Sequence, residues 1–396
     1  MKADTSSAID ILNNLVAFKT ISSLNNLAFI DYIKQYLASH GVDSFISYDE
    51  TGERANIHGF VGPAVDGGVV LNGHSDVVPV EGQEWTSDPF QLAIRDERVY
   101  GRGAVDMKGF LACMLASVPV WQQKNLKRPI HISICYDEEN GGFGAPVLVA
   151  DLHGKVPRPA AAIIGEPTQM QIIAGHKGAV EMRTVFSGLE AHSSDPRKGV
   201  SAISYAVKLI NYLEQLALEA AEEAEEAEEA DENGSQSPFN PPFPTISIGT
   251  IHGGAARNIV AQHCALDWEI RPTNFAQGQD LMAKINKFVE TQLLVDMKAT
   301  FPDAGIEMIT EANVPALDPE RSQDAVGLIK TITGLNSCDV VSFGTDAGHF
   351  CNDGISSVVF GPGSIDQAHK RDEYIELSQI DACLAFLDKL GDHLER

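Results

Sequence analysis

Short β-branched apolar runs that stop on a polar residue punctuate this chain, and amphipathic stretches of helical period separate them. Val69–Leu71 and Ala160–Ile164 place apolar residues at successive positions, the profile of strands buried on both faces of a parallel sheet, and Pro129–Tyr136 is another β-branched strand. Val77–Val80 reads the same way, and Ser357–Phe360 adds a further buried strand near the C-terminus. Shorter strands are expected at Phe45–Tyr48 and Asn56–Phe60, followed by a turn at Gly62-Pro63. Thr5-Ser6-Ser7 ahead of Ala8, Ile9, Ile11, Leu12, Leu15 and Val16 predicts a capped helix. Further helices are expected over Leu27–His40, with Gly41 as the stop, and over Gly109–Gln122.

The pattern changes in the middle of the chain. Gly178–Phe186 is strand-like, Val200–Leu218 is an amphipathic helix, Thr245–Ile251 and His263–Ile270 are strands, Gly278–Met297 is a helix and Glu307–Thr310 is a strand. That β-α-β-β-α-β order is the split βαβ motif of ferredoxin-like domains. The reading is therefore an α/β protein in which a mostly parallel-sheet domain (1–177 and 315–396) is interrupted by a ferredoxin-like insert (178–314). Within the insert, Glu219–Glu232 extends the first helix as Ala/Glu repeats without an apolar face. This predicts a solvated helical extension or disorder, ending in a proline-containing loop, so that 219–244 is an acidic insert and loop.

Composition narrows the picture. A chain of 396 residues, 44% hydrophobic, has ample length for a buried core in two to three domains. No apolar run approaches the ~20 residues needed to span a bilayer, and Met1-Lys2-Ala3-Asp4 lacks a signal-peptide core, so a cytoplasmic, soluble protein is expected. The six cysteines have no paired spacing and fit reduced, buried thiols. A formal charge of -26 argues against nucleic acid or an anionic membrane as partner. Nine of the acidic groups fall in Glu219–Glu232 alone, so much of the acidity is local.

Candidate chemistry gathers where the apolar runs end, which in open α/β sheets is where ligands bind. His74 follows the Val69 run, Glu138 and Glu139 follow Pro129–Tyr136, and Glu166 follows Ala160–Ile164. Asp106 closes Gly103-Ala104-Val105-Asp106, and His369 lies beyond Ser357–Phe360. A single carboxylate at a strand end is usually a cap or a solvated turn; the weight rests on the repetition. Two imidazoles and three carboxylates (His74, Asp106, Glu139, Glu166, His369) suit Zn²⁺, with Co²⁺ or Mn²⁺ as substitutes. Five donors are too many for one tetrahedral ion and enough for two if one carboxylate bridges; such a pair activates a shared water. Glu138 is then placed to act as general base, and Asp76 to accept the second ring N–H of His74.

The stretches Gly73-His74-Ser75-Asp76-Val77-Val78-Pro79, Trp85-Thr86-Ser87-Asp88-Pro89-Phe90, Tyr100–Gly109 and Asp137-Glu138-Glu139 resemble the family of acetylornithine deacetylases, succinyl-diaminopimelate desuccinylases, aminoacylases and glutamate carboxypeptidases. These are dinuclear zinc amidohydrolases with an inserted, commonly dimerising ferredoxin-like domain. The resemblance covers nearly the whole chain. It implies that His74 and Glu166 hold one zinc, Glu139 and His369 the other, and that Asp106 bridges. It also implies catalytic roles for Glu138 and Asp76, oxyanion stabilisation by His192, and substrate contacts at Asn258, Arg271, Gly344 and Thr345. Read without the resemblance, Arg271 at a strand end is equally half of a surface ion pair. Gly361–His369 and the run from Pro241 to Gly254 most resemble the acetylornithine deacetylases. The implied reaction is therefore deacetylation of N-acetyl-L-ornithine in arginine synthesis; the alternative is a deacylase or dipeptidase acting on another N-acyl amino acid. The implied partners are that small-molecule substrate and a second copy of the chain. Departures at Arg257, Asp346 and Arg371 bear on which substrate is taken.

Overall fold

The structure is a computed structural model that describes residues 2–22, 24–230 and 237–396. Contacts divide the chain into two compact units, one of residues 1–176, 317–341 and 345–396, the other of residues 177–316 and 342–344. In chain order the first unit contributes β1 (Ser44–Tyr48), β2 (Ala55–Val61), β3 (Gly68–His74), β4 (Ala93–Arg95), β5 (Arg98–Tyr100), β6 (Ile130–Cys135), β7 (Pro159–Ile164) and β8 (Ile173–His176). The second contributes β9 (Ala179–Ser187), β10 (Thr245–Gly253), β11 (His263–Arg271) and β12 (Gly305–Val314), and the first resumes with β13 (Asp339–Val341), β14 (Ser356–Val359) and β15 (Tyr374–Glu376).

Eight strands of the first unit form one mixed sheet in the order β1-β2-β6-β3-β7-β14-β8-β13. Its centre, β6-β3-β7-β14, is parallel, and every residue of β3 and β6 is buried. These strands are rich in apolar residues because both faces are covered, and their polar residues Asn72, His131 and Ser133 are buried with them. One cover is the helix Lys108–Trp121, almost wholly buried, which is why its apolar residues run all round rather than along one stripe. The N-terminal helix Thr5–Ala17 is capped by Asp4, whose side chain accepts from the Ser7 N–H, rather than by the Thr5-Ser6-Ser7 cluster itself. Val77–Val80 is not a strand. Val77 makes a single parallel bridge with Ile21, because the chain turns away from the sheet after His74.

A three-stranded sheet in the order β15-β5-β4 sits apart from the large one. It pairs Tyr374–Glu376 with Arg98–Tyr100, and so fastens the segment after His369 to the segment before Asp106.

The second unit is a four-stranded antiparallel sheet, β10-β11-β9-β12, covered by the helix Ala202–Ala230 and a helical run from Phe275 to Thr300. Its order, β-α-β-β-α-β, and its sheet are ferredoxin-like, and its core is built from Phe186, Leu209, Leu213, Leu266, Trp268 and Ile285. The second helix starts earlier than its apolar pattern suggested because Asn274 caps it, accepting from Gln277 N–H, and it passes through a π turn at Val289–Leu293. The acidic tract continues the first helix to Ala230. Asp231 and Glu232, and loop positions 233–236, lie outside the described residues. Among the described residues no helix is long and apolar enough to cross a membrane.

Candidate metal centre

The parallel strands bring their carboxyl ends to one edge. Register places His74 opposite Cys135 and Asn72 opposite Ile164. The segments that leave β6 and β7 therefore emerge on either side of His74, carrying Glu138 and Glu139 on one side and Glu166 on the other. Asp137 makes the turn out of β6 in a left-handed conformation, φ 53°. Asp106 comes from the loop between β5 and the buried helix, and His369, also left-handed at φ 61°, from the segment beyond β14.

Asp106 stands between the two imidazoles. Its Oδ1 lies 3.0 Å from His74 Nε2 and its Oδ2 lies 3.4 Å from His369 Nε2. His74 Nε2 is also 3.6 Å from Glu166 Oε1, and His369 Nε2 is 2.9 Å from Glu139 Oε2. Potential ligand atoms fall within 4.8 Å of one another in two groups, His74–Asp106–Glu139 and His74–Glu138–Glu166. The five expected ligands thus converge, and Glu138 stands among them rather than beyond them.

His74, Asp106 and Glu166 are 1%, 6% and 5% exposed, while the His369 side chain is about half exposed at 53%. Burial works to depress the pKa of His74, yet hydrogen bonds to Asp106 and Asp76 and the charge of Glu166 carry it well above the usual imidazole range. Hydrogen bonds to Asp106 and Glu139 raise His369 to about 10. Burial, then the charge of Asp106, pushes Glu139 up to about 7 and Glu166 well above the carboxylate range. Burial and Glu166 do the same to Glu138. Burial opposes ionisation of Asp106 as well, but its bonds from His369 and His74 hold it below the usual range. Six carboxylates, those of Asp76, Asp106, Glu138, Glu139, Glu166 and Asp346, crowd two imidazoles here. Among the described residues, Glu166 Oε1 is buried with no hydrogen-bond partner. Such a cluster is costly without cations, and its nitrogen and oxygen donors, with no thiolate, fit divalent ions.

Asp76 serves the centre at more than one point. The Nδ1 of His74 is 2.9 Å from the Asp76 main-chain carbonyl and 3.6 Å from its carboxylate. The carboxylate also accepts from the main-chain N–H groups of Glu138 and Glu139, at 3.2 and 3.3 Å, and from Ser22 Oγ at 2.8 Å. It therefore holds the acidic turn in place. Asp346, noticed in the sequence only as a departure, is buried and accepts from Asn72 Nδ2 at 3.2 Å. Burial raises it to about 6. No local pattern marks Ser22.

Of the remaining expected residues, His192, Asn258, Arg271 and Gly344 belong to the second unit and Thr345 to the first. His192 and Asn258 meet: Ser193 N–H donates to the Asn258 carbonyl at 3.1 Å, and His192 bridges with Ile259. Both are exposed, and His192 Nδ1 accepts from Ser194 N–H at 3.2 Å. Arg271 is at the other end of β11, eight residues or about 26 Å along the strand from His263. Its guanidinium pairs with Glu269 at 2.7 Å and Glu181 at 3.6 Å. Gly344 lies against Val314, where a Cβ would come within 3.0 Å of Cγ1. Thr345 is buried, its Oγ 3.0 Å from His176 Nε2.

The sequence profile of Peptidase family M20/M25/M40 matches residues 70–393. Among curated proteins, acetylornithine deacetylase of Pasteurella multocida is 31% identical over 391 residues, covering 97% of each chain. The acetylornithine deacetylase of Photorhabdus laumondii is 32% identical over 392 residues, covering 97% of this chain and 96% of its own. Among solved structures, a tripeptidase from Staphylococcus aureus matches with a TM-score of 0.71 at 21% identity, covering 100% of both chains. An M20 metallo-carboxypeptidase from Sulfolobus solfataricus matches at 0.72 and 16% identity, covering 98% of this chain and 99% of that one. A dinuclear metal-binding M20 peptidase from Bacillus subtilis matches at 0.62 and 13% identity, covering 98% and 97%.

Proposed function

The chain belongs to peptidase family M20/M25/M40 and is a metal-dependent amidohydrolase; on that premise we propose that it deacetylates N-acetyl-L-ornithine to L-ornithine and acetate with two zinc ions. The observation that carries the two-metal part is the Asp106 carboxylate, one oxygen toward each imidazole, with Glu166 beside His74 and Glu139 beside His369. His74 and Glu166 would hold one ion, Glu139 and His369 the other, and Asp106 both. When bound, the ions supply a water acidic enough to ionise near neutral pH and a Lewis acid for the amide carbonyl. The substrate part rests on the full-length likeness to curated acetylornithine deacetylases.

In this reading the protein's own groups move the proton and hold the geometry. Glu138 makes no side-chain hydrogen bond among the described residues, unlike Glu139, so its carboxylate is available to take a proton from the attacking water and return it to the amine nitrogen as that leaves. Its place is set through its main chain by Asp76. His192, exposed and fixed locally by Ser194, supports the developing oxyanion.

A second reading, a peptidase or a deacylase for another N-acyl amino acid, draws on the peptidases among the solved relatives and on Asp346 in the centre. Release of free amine by zinc-loaded protein from N-acetyl-L-ornithine, N-acetyl-methionine, N-succinyl-diaminopimelate and a dipeptide, side by side, separates the two. Preference for N-acetyl-L-ornithine is expected. Preference for another of the four overturns the substrate assignment and leaves the centre unchanged.

A further inference from the structure

Two of the five convergent side chains, Asp106 and His369, come from loops rather than from the ends of central strands, and sheet register does not set their separation. A buried polar network does join them. Glu373, 1% exposed, has a carboxylate met by four donors. Its Oε2 accepts from Arg102 Nη1 at 2.8 Å and from Gly103 N–H at 3.0 Å. Its Oε1 accepts from the N–H groups of Val105 at 2.9 Å and of Asp106 itself at 3.1 Å. A carboxylate has four acceptor sites, and here all four are used. An amide would turn a donor toward main-chain N–H groups, so Gln is not a substitute. Gly103, at φ 79° and with a Cβ position 2.6 Å from Val77 Cγ1, allows the loop to curl round that carboxylate.

Arg102, also 1% exposed, carries the network to the other loop. Its guanidinium donates to the Lys370 carbonyl at 3.3 Å, to the Pro79 carbonyl at 3.4 Å and to Gln83 Oε1 at 2.6 Å, and lies 5.1 Å from the Trp85 ring. Gln83 Nε2 in turn donates to the His369 carbonyl at 2.9 Å. One continuous path therefore runs from the Asp106 main chain through Glu373, Arg102 and Gln83 to the His369 main chain, where φ is left-handed. A planar fork with fixed donor directions suits this task, and a lysine does not reproduce it.

We propose that Glu373 and Arg102 are positioning residues that set how Asp106 and His369 face one another, and through that the affinity and geometry of the divalent-ion centre. The inference rests on the two-metal reading above. Partners of this kind, one shell out from a metal, are typically worth about 10- to 100-fold in metal affinity.

The test titrates metal-free wild type, Glu373→Gln, Arg102→Lys and Gln83→Leu with Co²⁺, reading affinity by competition with a chelator and ligand geometry from the visible d–d absorption. Circular dichroism reports folding. Wild type is expected to take up two ions. Glu373→Gln should remain folded, bind about 10- to 100-fold more weakly and show an altered spectrum. Arg102→Lys should show a smaller loss, and Gln83→Leu should weaken one of the two ions only. Wild-type affinity and spectrum in all folded variants overturn the inference. Should Glu373→Gln not fold, Gln83→Leu, on a partly exposed loop, decides alone. Wild-type protein that binds no Co²⁺ refutes the two-metal reading itself and the inference with it, whereas wild-type binding shared unchanged by the variants refutes only the network.

Discussion

His74 and His192 represent two regions of the molecule with opposite constraints. His74 ends a fully buried central strand, contacts Asp106, Glu166 and the Asp76 carbonyl, and carries a pKa displaced by several neighbours at once. His192 is exposed beside the β10–β11 connection, and among the described residues its side chain bonds only to Ser194 two residues on. The first is over-determined by its surroundings, so replacing its neighbours disturbs metal affinity, stability and chemistry together. The second is held by one local turn, so its replacement should remove chemistry and little else.

The sharpest way to break that contrast is inside the buried centre. Asp106→Ala should lose metal affinity and activity together, beyond the ~100-fold typical of an outer-shell change. Glu138→Ala should keep both ions while kcat falls about 10²- to 10⁴-fold. Metal analysis beside steady-state kinetics distinguishes the two, and loss of an ion in Glu138→Ala would make it a ligand, as its place beside His74 and Glu166 also permits. On the exposed side, His192→Ala should lower kcat by about 10²- to 10³-fold with thermal stability and metal content unchanged. A drop in melting temperature as large as its drop in rate would erase the distinction.

Burial without a metal has its own signature in the first unit. His58 and His131 face each other at 3.1 Å inside the sheet, His58 bonded to Ser133 Oγ, and burial lowers both, His131 to about 4. Both are neutral in the fold, so below pH 6.5 the unfolded chain takes up protons that the folded pair refuses. Stability should therefore be intact above pH 6.5 and fall as pH drops toward 4, by on the order of 3 kcal/mol for His131 alone at ~1.4 kcal/mol per pH unit, with His58 adding to the loss. Denaturant midpoints across that range should flatten in the double variant H58N/H131N relative to wild type; identical slopes would remove the pair from the account. The smallest effect is expected at Arg271→Ala. Its half-buried pairs with Glu269 and Glu181 should contribute about 1 kcal/mol or less, and turnover should stay within a few-fold. A large loss of turnover there would instead assign Arg271 the substrate contact.

This contrast also explains what could be read from the chain. Val69–Leu71, Ile130–Cys135 and Ala160–Ile164 announce themselves because burial in the sheet favours runs rich in apolar, β-branched residues, and the residues at their ends follow automatically. The β-α-β-β-α-β order of the insert was legible for the same reason, since each element has its own period. Strand order was not, because neighbours such as β7 and β14 lie far apart in sequence and nothing local encodes their pairing. Val77–Val80 misled because its composition suits a strand while Asp76 and Ser22 direct the chain elsewhere. Glu373 and Ser22 were invisible for a related reason. A side chain that acts by accepting main-chain N–H groups from a distant loop leaves no spacing behind it. Arg271 shows the converse, a residue that fits a motif and is engaged in an ordinary ion pair.

The central claim is that the buried cluster around Asp106 holds two ions that make the chain a deacetylase. It is tested most directly by titrating metal-free protein with Zn²⁺ while following both bound metal and release of ornithine from N-acetyl-L-ornithine. Binding that reaches two equivalents, with full turnover only as the second site fills, is the predicted result. Turnover of the metal-free protein, or saturation of binding with no hydrolysis of N-acetyl-L-ornithine or any other N-acyl amino acid, would contradict it.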